Sequence, residues 1–312
     1  MSAADIQAAA FTDDNVAREA IEALMWPNGP VCPHCGCMDK IGRVDGKTAR
    51  PGLRYCGDCK KQFTVTVGTI FERSKVPLSK WWFAIHVLAS SKKGMSAHQL
   101  HRMIGVTYQT AWFMEHRIRE AMRDGGLAPM GGAGGVVEVD ETFIGRIEGT
   151  EPKAGFVRHK NTVLTLVERG GSARSFHIEE ATKEHIVPII NANLSRESDL
   201  MTDEAKRYEK IGKDFASHGV VDHSRKEYGY TDRKTGQKVN TNTVEGYYSI
   251  FKRGMKGVYQ HCGEKHLHRY LAEFDFRYSN RAKLGVNDAE RAAKIVEGAK
   301  GKRLQYRRPV EV

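Results

Sequence analysis

Two groups of residues in this chain are of the types, and at the spacings, that do chemistry. The first is Cys32-Pro33-His34-Cys35, followed after 20 residues by Cys56-Gly57-Asp58-Cys59. Each C-x-x-C turn aims a pair of sulfurs at one point, and four thiolates so spaced suit a tetrahedral Zn(II). Four sulfur ligands leave no open position, so the zinc is expected to be structural, serving folding and docking on DNA or protein. Cys37 and His34 are the alternative ligands, and Cys262 reads as a lone core or surface thiol. The second group is acidic. Val136-Val137-Glu138-Val139-Asp140-Glu141-Thr142 is an apolar strand ending in acids, and Asp199-Leu200-Met201-Thr202-Asp203 repeats the arrangement. A carboxylate in a buried strand is costly unless a cation neutralises it, and a divalent metal is such a cation. If the two strands are neighbours, Asp140 and Asp203 converge. A third acid comes from Asn242-Thr243-Val244-Glu245, which opens a helix running through Lys252 and Arg253. Glu245 and Lys252 lie two turns apart on one helix face.

Mg(II), or Mn(II), takes oxygen ligands, and two such ions about 3.5–4 Å apart can activate a nucleophilic oxygen and stabilise the leaving oxygen of a phosphodiester. That is the chemistry Asp140, Asp203 and Glu245 would serve. Within each segment alternatives stay open. Glu138 shares a strand face with Asp140 and can be the ligand instead. Asn242-x-x-Glu245 matches a helix capping box, with Asn242 at the cap, and Asn242 can itself be the metal-facing group. Glu141 and Glu204 point the other way, to solvent or a salt bridge. Asp222, beside His223, is a weaker third acid, and Lys252 reads equally as a solvated lysine.

The elements that must position these groups follow from pattern. Residues 1–30 read as a helix capped by Asp13 or Asp14, with Ala17, Ile21, Leu24 and Met25 on one face. Residues 31–72 hold the cysteines and a strand over 62–67. Residues 77–124 read as helical, within a helix-turn-helix-like region over 73–124, and 94–118 has the spacing: Ser96 caps a first helix, Gly105 turns and Thr107 caps a second. Tyr108, Gln109, Thr110 and Arg117 would then face DNA, with Lys92, Lys93, Arg102, Arg119 and Arg123 nearby for phosphate; an ordinary helical hairpin gives the same pattern. The glycine-rich segment 125–135 marks a flexible linker. Beyond it, strands over 136–144, 162–168 and 173–178, a helix over 182–193, strands at 199–202 and 219–221, and helices over 242–255 and 264–281 follow the order of an RNase H-like core, 136–285. Residues 286–312 read as a basic tail, loose from 300 to 308. The fold class is thus α/β and multidomain: zinc ribbon, helix-turn-helix region, then a mixed-sheet core.

Bulk properties point the same way. The formal charge is +11 and the pI about 9.3, which calls for a polyanionic partner. The longest apolar run, Trp81 to Ala89, contains His86 and is too short for a bilayer, where a helix needs about 20 residues. The N-terminus lacks a basic region followed by an apolar run, so no leader or membrane is expected, and nucleic acid in the cytoplasm is the leading reading.

Together these residues resemble a known family, the bacterial insertion-sequence transposases with an N-terminal zinc ribbon and a DDE-type, RNase H-like core. The resemblance is carried by CPHCG at 32–36, CGDC at 56–59, VEVDETFIGR at 137–146, TDE at 202–204, NTVEGYYSIFKRGMKGVY at 242–259 and EKHLHRYLAEFDFRYSNR at 264–281. It implies metal-dependent hydrolysis at transposon ends, then attack of the freed 3′-hydroxyl on target DNA. It makes Asp140 and Asp203 the first two catalytic acids. Glu245 is favoured as the third over Asn242, because its spacing to Lys252 is similar to the glutamate-to-lysine spacing of many such enzymes. Lys252 is then a fourth catalytic residue, and Lys252 and Arg253 would meet DNA. The block at 264–281, with His266, His268, Arg269, Tyr270, Arg277, Tyr278 and Arg281, faces DNA or supports the core. Double-stranded DNA, as terminal inverted repeats and target, is the implied partner, and pairing two ends calls for at least a dimer, in the bacterial cytoplasm at the nucleoid. Two other readings are a catalytically silent, domesticated DNA-binding protein and a zinc-ribbon nuclease that only hydrolyses.

Overall fold

A computed structural model describes residues 8–123, 125, 128–151, 157, 159–222, 224, 229–233 and 236–304. The first seven residues, His223 and the tail beyond 304 lie outside the described residues, as do positions 126 and 127 of the glycine-rich segment. The chain forms two compact units: one from the N-terminal part through 91, 95–123 and the segment from 287 on; the other from 92–94 and 124–286.

The first unit opens with helix α1 (Asp14–Met25), capped by the Asp13 carboxylate on the Asn15 and Val16 amides, with Ala17, Ile21 and Met25 buried. The ribbon follows as three short antiparallel strands, β1 (Ile41–Arg43), β2 (Arg54–Cys56) and β3 (Gln62–Phe63), in that order. The strand expected over 62–67 stops at Phe63, and Val67 N–H closes a turn onto Thr64 O instead. Three helices come next: α2 (Leu78–Ser90), α3 (Ala97–Ile104) and α4 (Tyr108–Met122). Ser96 caps α3 by accepting from the Gln99 amide; Gly105 ends it at φ 61°, a conformation glycine adopts without strain; Thr107 caps α4 on the Thr110 amide.

The segment expected as a basic tail forms a helix over Asp288–Glu297 that belongs to this first unit, not to the second. Ala292, Ile295 and Val296 are fully buried, Arg291 donates to Ala89 O at 2.7 Å, and Gly301 N–H bonds Gly68 O at 2.9 Å. The first unit is therefore discontinuous in sequence, and the second is inserted within it.

The second unit is a five-stranded mixed sheet. Its strands are β4 (Val136–Ile144), β5 (Asn161–Glu168), β6 (Ala173–Ile178), β7 (Asp199–Asp203) and β8 (Ser217–Val221), in the order β6-β5-β4-β7-β8. The first three form an antiparallel meander, while β7 and β8 add in parallel. Side chains of β5 alternate between two cores, as strand period demands. Leu164 and Leu166 join Val137, Val139, Leu200 and the helix α5 (Lys183–Asn193) through Ile186 and Ile190. Val163 and Val167 face the other way, onto α6 (Asn242–Gly254) and α7 (Leu267–Ser279), through Val244, Tyr247, Tyr248, Phe251, Leu271 and Phe274. Helices cover both faces, the arrangement expected of an RNase H-like core.

Candidate functional site

The two cysteine turns are built alike. In each, the first cysteine carbonyl accepts from the amide four residues on, Gly36 onto Cys32 at 2.9 Å and Lys60 onto Cys56 at 3.0 Å. Both fourth residues take positive φ, 78° at Gly36 and 58° at Lys60. The four Sγ atoms of Cys32, Cys35, Cys56 and Cys59 lie within 4.8 Å of one another, with 3.6 Å between Cys32 and Cys59 and between Cys35 and Cys56. A tetrahedron with metal–sulfur bonds of about 2.3 Å has edges of about 3.8 Å, so this donor set fits structural zinc. Hydrogen bonding pulls the Cys56 thiol down to about 6, first through the Cys59 amide. At Cys35 the Cys37 amide pulls down, but desolvation and the neighbouring sulfurs outweigh it and push the thiol up to about 12. Sulfurs this close resist sharing negative charge without a cation. Cys37 sits outside the cluster, and His34 is not among its members.

In the second unit, β4 and β7 are adjacent and parallel, with Val136, Val137 and Glu138 level with Asp199, Leu200 and Met201. Two residues further along each strand stand Asp140 and Asp203, level with each other and on the same face. Pairing between β4 and β7 stops at Glu138 and Met201, while β7 continues beside β8. Asp203 ends β7 while β4 runs on beside β5, so the two carboxylates sit where the β4–β7 pairing stops. Oxygens of Asp140, Glu141 and Asp203 lie within 4.8 Å of one another, a donor set that fits a divalent cation. Desolvation lifts the Asp140 carboxyl to about 7, and the negative charges of Glu141, Asp203 and Glu245 add to the rise. Such a group binds a proton or a metal more readily than it stays a bare anion. The Tyr248 hydroxyl, on α6, donates to Asp140 O at 2.5 Å and so ties α6 to the middle of β4.

Glu141 departs from expectation. It is paired, as foreseen, but it lies inside the acid cluster with its side chain 3% exposed. Arg207 grips it with Nε at 2.9 Å and Nη2 at 2.5 Å, and the Tyr208 hydroxyl donates to it as well. The same Nη2 lies 3.9 Å from Asp203 Oδ2. The sequence carries a signal for this in an arginine and a tyrosine on the 3-10 turn that follows Asp203.

Glu138 does not face a metal. It is fully buried, and its carboxylate accepts from Thr243 N at 2.7 Å, Val244 N at 2.9 Å, Thr243 Oγ1 at 2.7 Å and Arg169 Nε at 2.6 Å. A charge from β4 thus caps the N-terminus of α6. The capping box expected from Asn242 does not form: Thr241 is the N-cap, its side chain bonds no helix amide, and its hydroxyl donates instead to Glu245 Oε1 at 3.2 Å. Asn242 is the first helical residue and is exposed. Glu245, also exposed, lies outside the tight cluster of three, yet close enough for its charge to act on Asp140. Lys252 is half-buried, its Nζ 5.8 Å from the centre of the Tyr248 ring, and Arg253 is exposed and bonded to Ser249 Oγ. Asp222 is turned onto Ser224 N and Oγ and takes no part in the acid cluster.

On the helix-turn-helix segment, Tyr108 and Gln109 are exposed and Thr110 is half-buried; Tyr108 stacks on His98 at 4.2 Å. Arg117 is not a surface residue. It is 8% exposed and donates to Ile70 O at 2.7 Å and Glu72 O at 3.0 Å, tying α4 to the loop after the ribbon. Arg119 is fully buried against Glu115 at 3.0 Å. Both face inward with Met114 and Ile118, so neither is offered to a phosphate. In α7, Tyr270 and Arg277 are likewise buried with Leu267, Leu271 and Phe274, and Arg277 pairs with Glu273, which makes this helix a core support.

Residues 132–279 match the ISXO2-like transposase domain, and residues 12–62 match the transposase zinc-ribbon domain. A protein of transposable element ISH50 from Halobacterium salinarum, itself uncharacterised, is 26% identical over 283 residues, covering 86% of this chain and 91% of the relative. Among solved structures, a chain in the cryo-EM structure of the simian T-cell lymphotropic virus intasome in complex with PP2A regulatory subunit B56 gamma matches 56% of this chain and 63% of its own, under two thirds, at 14% identity and a TM-score of 0.28.

Proposed function

The chain belongs to the insertion-sequence transposases that carry an N-terminal zinc ribbon, and from that premise we propose that it binds the ends of its own element, cuts the DNA there and joins the freed ends to a target. The observation that carries this reading is the pair Asp140 and Asp203, level on adjacent parallel strands, with the charge of Glu245 on α6 acting on Asp140. Asp140, Asp203 and Glu245 would hold Mg(II) or Mn(II), which supplies Lewis acidity to both the attacking and the leaving oxygen. Asn242, exposed one turn earlier on α6, is the alternative third ligand.

The chain's own groups do the rest. Tyr248 and Glu138 tie β4 to α6, the two elements that carry Asp140 and Glu245. Lys252, on the α6 face that carries Glu245, and Arg253 beside it offer positive charge to the DNA backbone. The zinc ribbon and the Tyr108-Gln109-Thr110 end of α4 bind duplex DNA, α4 as a recognition helix whose N-terminal residues meet base edges. Domains run as ribbon (31–72), helix-turn-helix region (73–124), the glycine-rich segment (125–135), whose Met130 is buried in the core of the second unit rather than in a free linker, and catalytic core (136–285). The active species is at least a dimer, working on bacterial DNA in the cytoplasm.

The test is a strand-transfer assay with a 3′-labelled duplex taken from the DNA flanking the gene and a plasmid target. Asp140→Asn and Asp203→Asn should each abolish Mg(II)-dependent cleavage while duplex binding persists. Cleavage at the native rate in either variant refutes the assignment. Nicked duplex without joined product would make the protein a nuclease, and binding without either product would make it a silent DNA-binding protein.

A further inference from the structure

We propose that Arg207 is a substrate-contacting catalytic residue: held by Glu141, its guanidinium grips the phosphodiester that lies beside Asp203. This rests on the reading of the acids as a DNA-cutting centre. The placement is built from three sides. Arg207 sits on a 3-10 turn, Lys206–Tyr208, a few residues past Asp203 at the end of β7. Tyr208, 1% exposed, roots that turn in the α5-side core, and its hydroxyl reaches Glu141. Asp203 turns one oxygen, Oδ1, to the Ala205 amide at 3.1 Å, which shapes the same turn. The guanidinium then lies against both Glu141 oxygens, with Nη2 3.9 Å from Asp203 Oδ2.

A guanidinium has five N–H donors, and the side-on grip on Glu141 uses two of them. The remaining three are left for another acceptor, and the side chain is 28% exposed, so an acceptor can reach it. A salt bridge that served only the fold would not need this position. A fixed positive charge next to a metal-binding acid opposes loading of the cation by simple Coulomb repulsion. The sign reverses once a phosphodiester arrives, because the same charge then attracts the group to be cut. The planar fork matches two phosphate oxygens at once, which a lysine does not.

In the reaction, an oxygen of water or of a 3′-hydroxyl bonds to phosphorus as the bond to the leaving oxygen breaks. The leaving oxygen keeps the electron pair and takes a proton from solvent, and the attacking oxygen releases one to solvent. Arg207 exchanges no proton; it stabilises charge on the non-bridging oxygens as the transition state forms. Glu141 and Tyr208 are its positioning residues.

The test compares Arg207→Gln, Arg207→Lys and Glu141→Gln with the native protein and with Asp140→Asn, using Mn(II) titration, the melting temperature and Mn(II)-dependent cleavage of the flanking-DNA duplex. Arg207→Gln should bind Mn(II) at least as tightly as native, yet cleave on the order of a hundredfold more slowly, the usual loss when one transition-state donor is removed. Arg207→Lys should recover only part of the rate. Glu141→Gln should slow cleavage, and combining it with Arg207→Gln should add little. Native cleavage by Arg207→Gln overturns the proposal. So does loss of Mn(II) binding in step with activity, because that places Arg207 among the supports of the acids rather than on the substrate. Should Arg207→Gln fail to fold, Arg207→Lys decides: full native activity there refutes a fork on phosphate. Cleavage by Asp140→Asn would instead bring down the reading of the centre itself.

Discussion

Glu138 offers the sharpest test of how the second unit holds its site together. A carboxylate with no solvent exposure survives only if its charge is answered, and four donors answer it: the Thr243 and Val244 amides, the Thr243 hydroxyl and Arg169 Nε. Arg169 is itself fixed, donating to Lys238 O at 2.6 Å and to Asn240 O at 2.9 Å. Removing one partner of a buried, hydrogen-bonded charge costs about 3–5 kcal/mol, so Glu138→Ala should destabilise this unit by that much. Glu138→Gln is the cleaner probe. It keeps one acceptor oxygen but turns an NH2 group toward donors and leaves Arg169 without its counter-charge. Hydrogen bonds to a charged group contribute about 1.5–3 kcal/mol against about 0.5–1.5 for neutral ones, which sets the loss at about 2–3 kcal/mol.

The loss should be local before it is global, because the bonds broken are those of the first turn of α6. Amide hydrogen exchange reads this directly. Protection at Thr243 and Val244 should fall on the order of a hundredfold, the factor that about 2–3 kcal/mol implies. Amides in β5 should change far less. Glu197→Gln, an exposed glutamate of the same unit, should shift stability by no more than about 0.5 kcal/mol. If Glu138→Gln kept native protection at Thr243 and Val244 and a native urea midpoint, the reasoning that a strand carboxylate caps this helix would be wrong.

Three further outcomes follow from other parts of the molecule. Metal analysis should find about one zinc per chain, and Cys32→Ser or a chelator should remove it and lower the melting of the first unit; zinc-free protein with unchanged melting would refute the four-sulfur site. Truncation after Val286 should destabilise the first unit by about 3–6 kcal/mol, the burial worth of Ile295 and Val296, and expose it to limited proteolysis, whereas a native melting curve would show that the segment is dispensable. Asp275 accepts from Ser175 N at 2.7 Å, Ser175 Oγ at 2.7 Å and the Tyr247 hydroxyl at 2.6 Å, and desolvation still lifts its carboxyl from 3.8 to about 7. A folded-state value above the unfolded one means a contribution fully present below pH 3.8 and lost as pH rises through about 7. Asp275→Asn should flatten that part of the urea-measured stability profile, and an unchanged slope would show that the group titrates normally.

Much of the second unit was legible because periodicity and punctuation agree there. The boundaries of β4 and β6 were read to the residue, since glycines flank β4 at 135 and 145 and the Arg169-Gly170-Gly171 turn precedes β6. The helix-turn-helix caps were legible for the same reason: Ser96, Gly105 and Thr107 each perform a local backbone task that the residue type announces. The C-terminal helix was missed although Asn287 and Glu290 form a complete capping box, because basic residues on either side of its core masked a short apolar stripe. The strand at 62–67 was overread: alternating threonine and valine has strand propensity, but no neighbouring strand pairs with residues past Phe63, and propensity without a partner gives turns.

The site divides along the same line between what a residue does locally and what it does across the fold. That Asp140 and Asp203 meet depended on one unknown, whether β4 and β7 are neighbours, and once the sheet order supplies it their level follows by counting along both strands. The roles of the other acids were not countable. Glu138 and Asp140 share a face and a residue class, yet the first meets the open end of a helix and the second stands where the β4–β7 pairing has stopped. Glu141 alternates off that face by strand period, yet its oxygen still lies within reach of the other two acids, and Arg207 and Tyr208 hold it there. The arginines follow the same rule. Helix-turn-helix position marked Arg117, and charge marked Arg119, as contacts for DNA, but a guanidinium that finds carbonyls or a carboxylate in the interior is already answered there. Arg207 is the contrary case, answered on one edge by Glu141 and open on the other, and only the placement of its partner distinguishes it from the two that are spent.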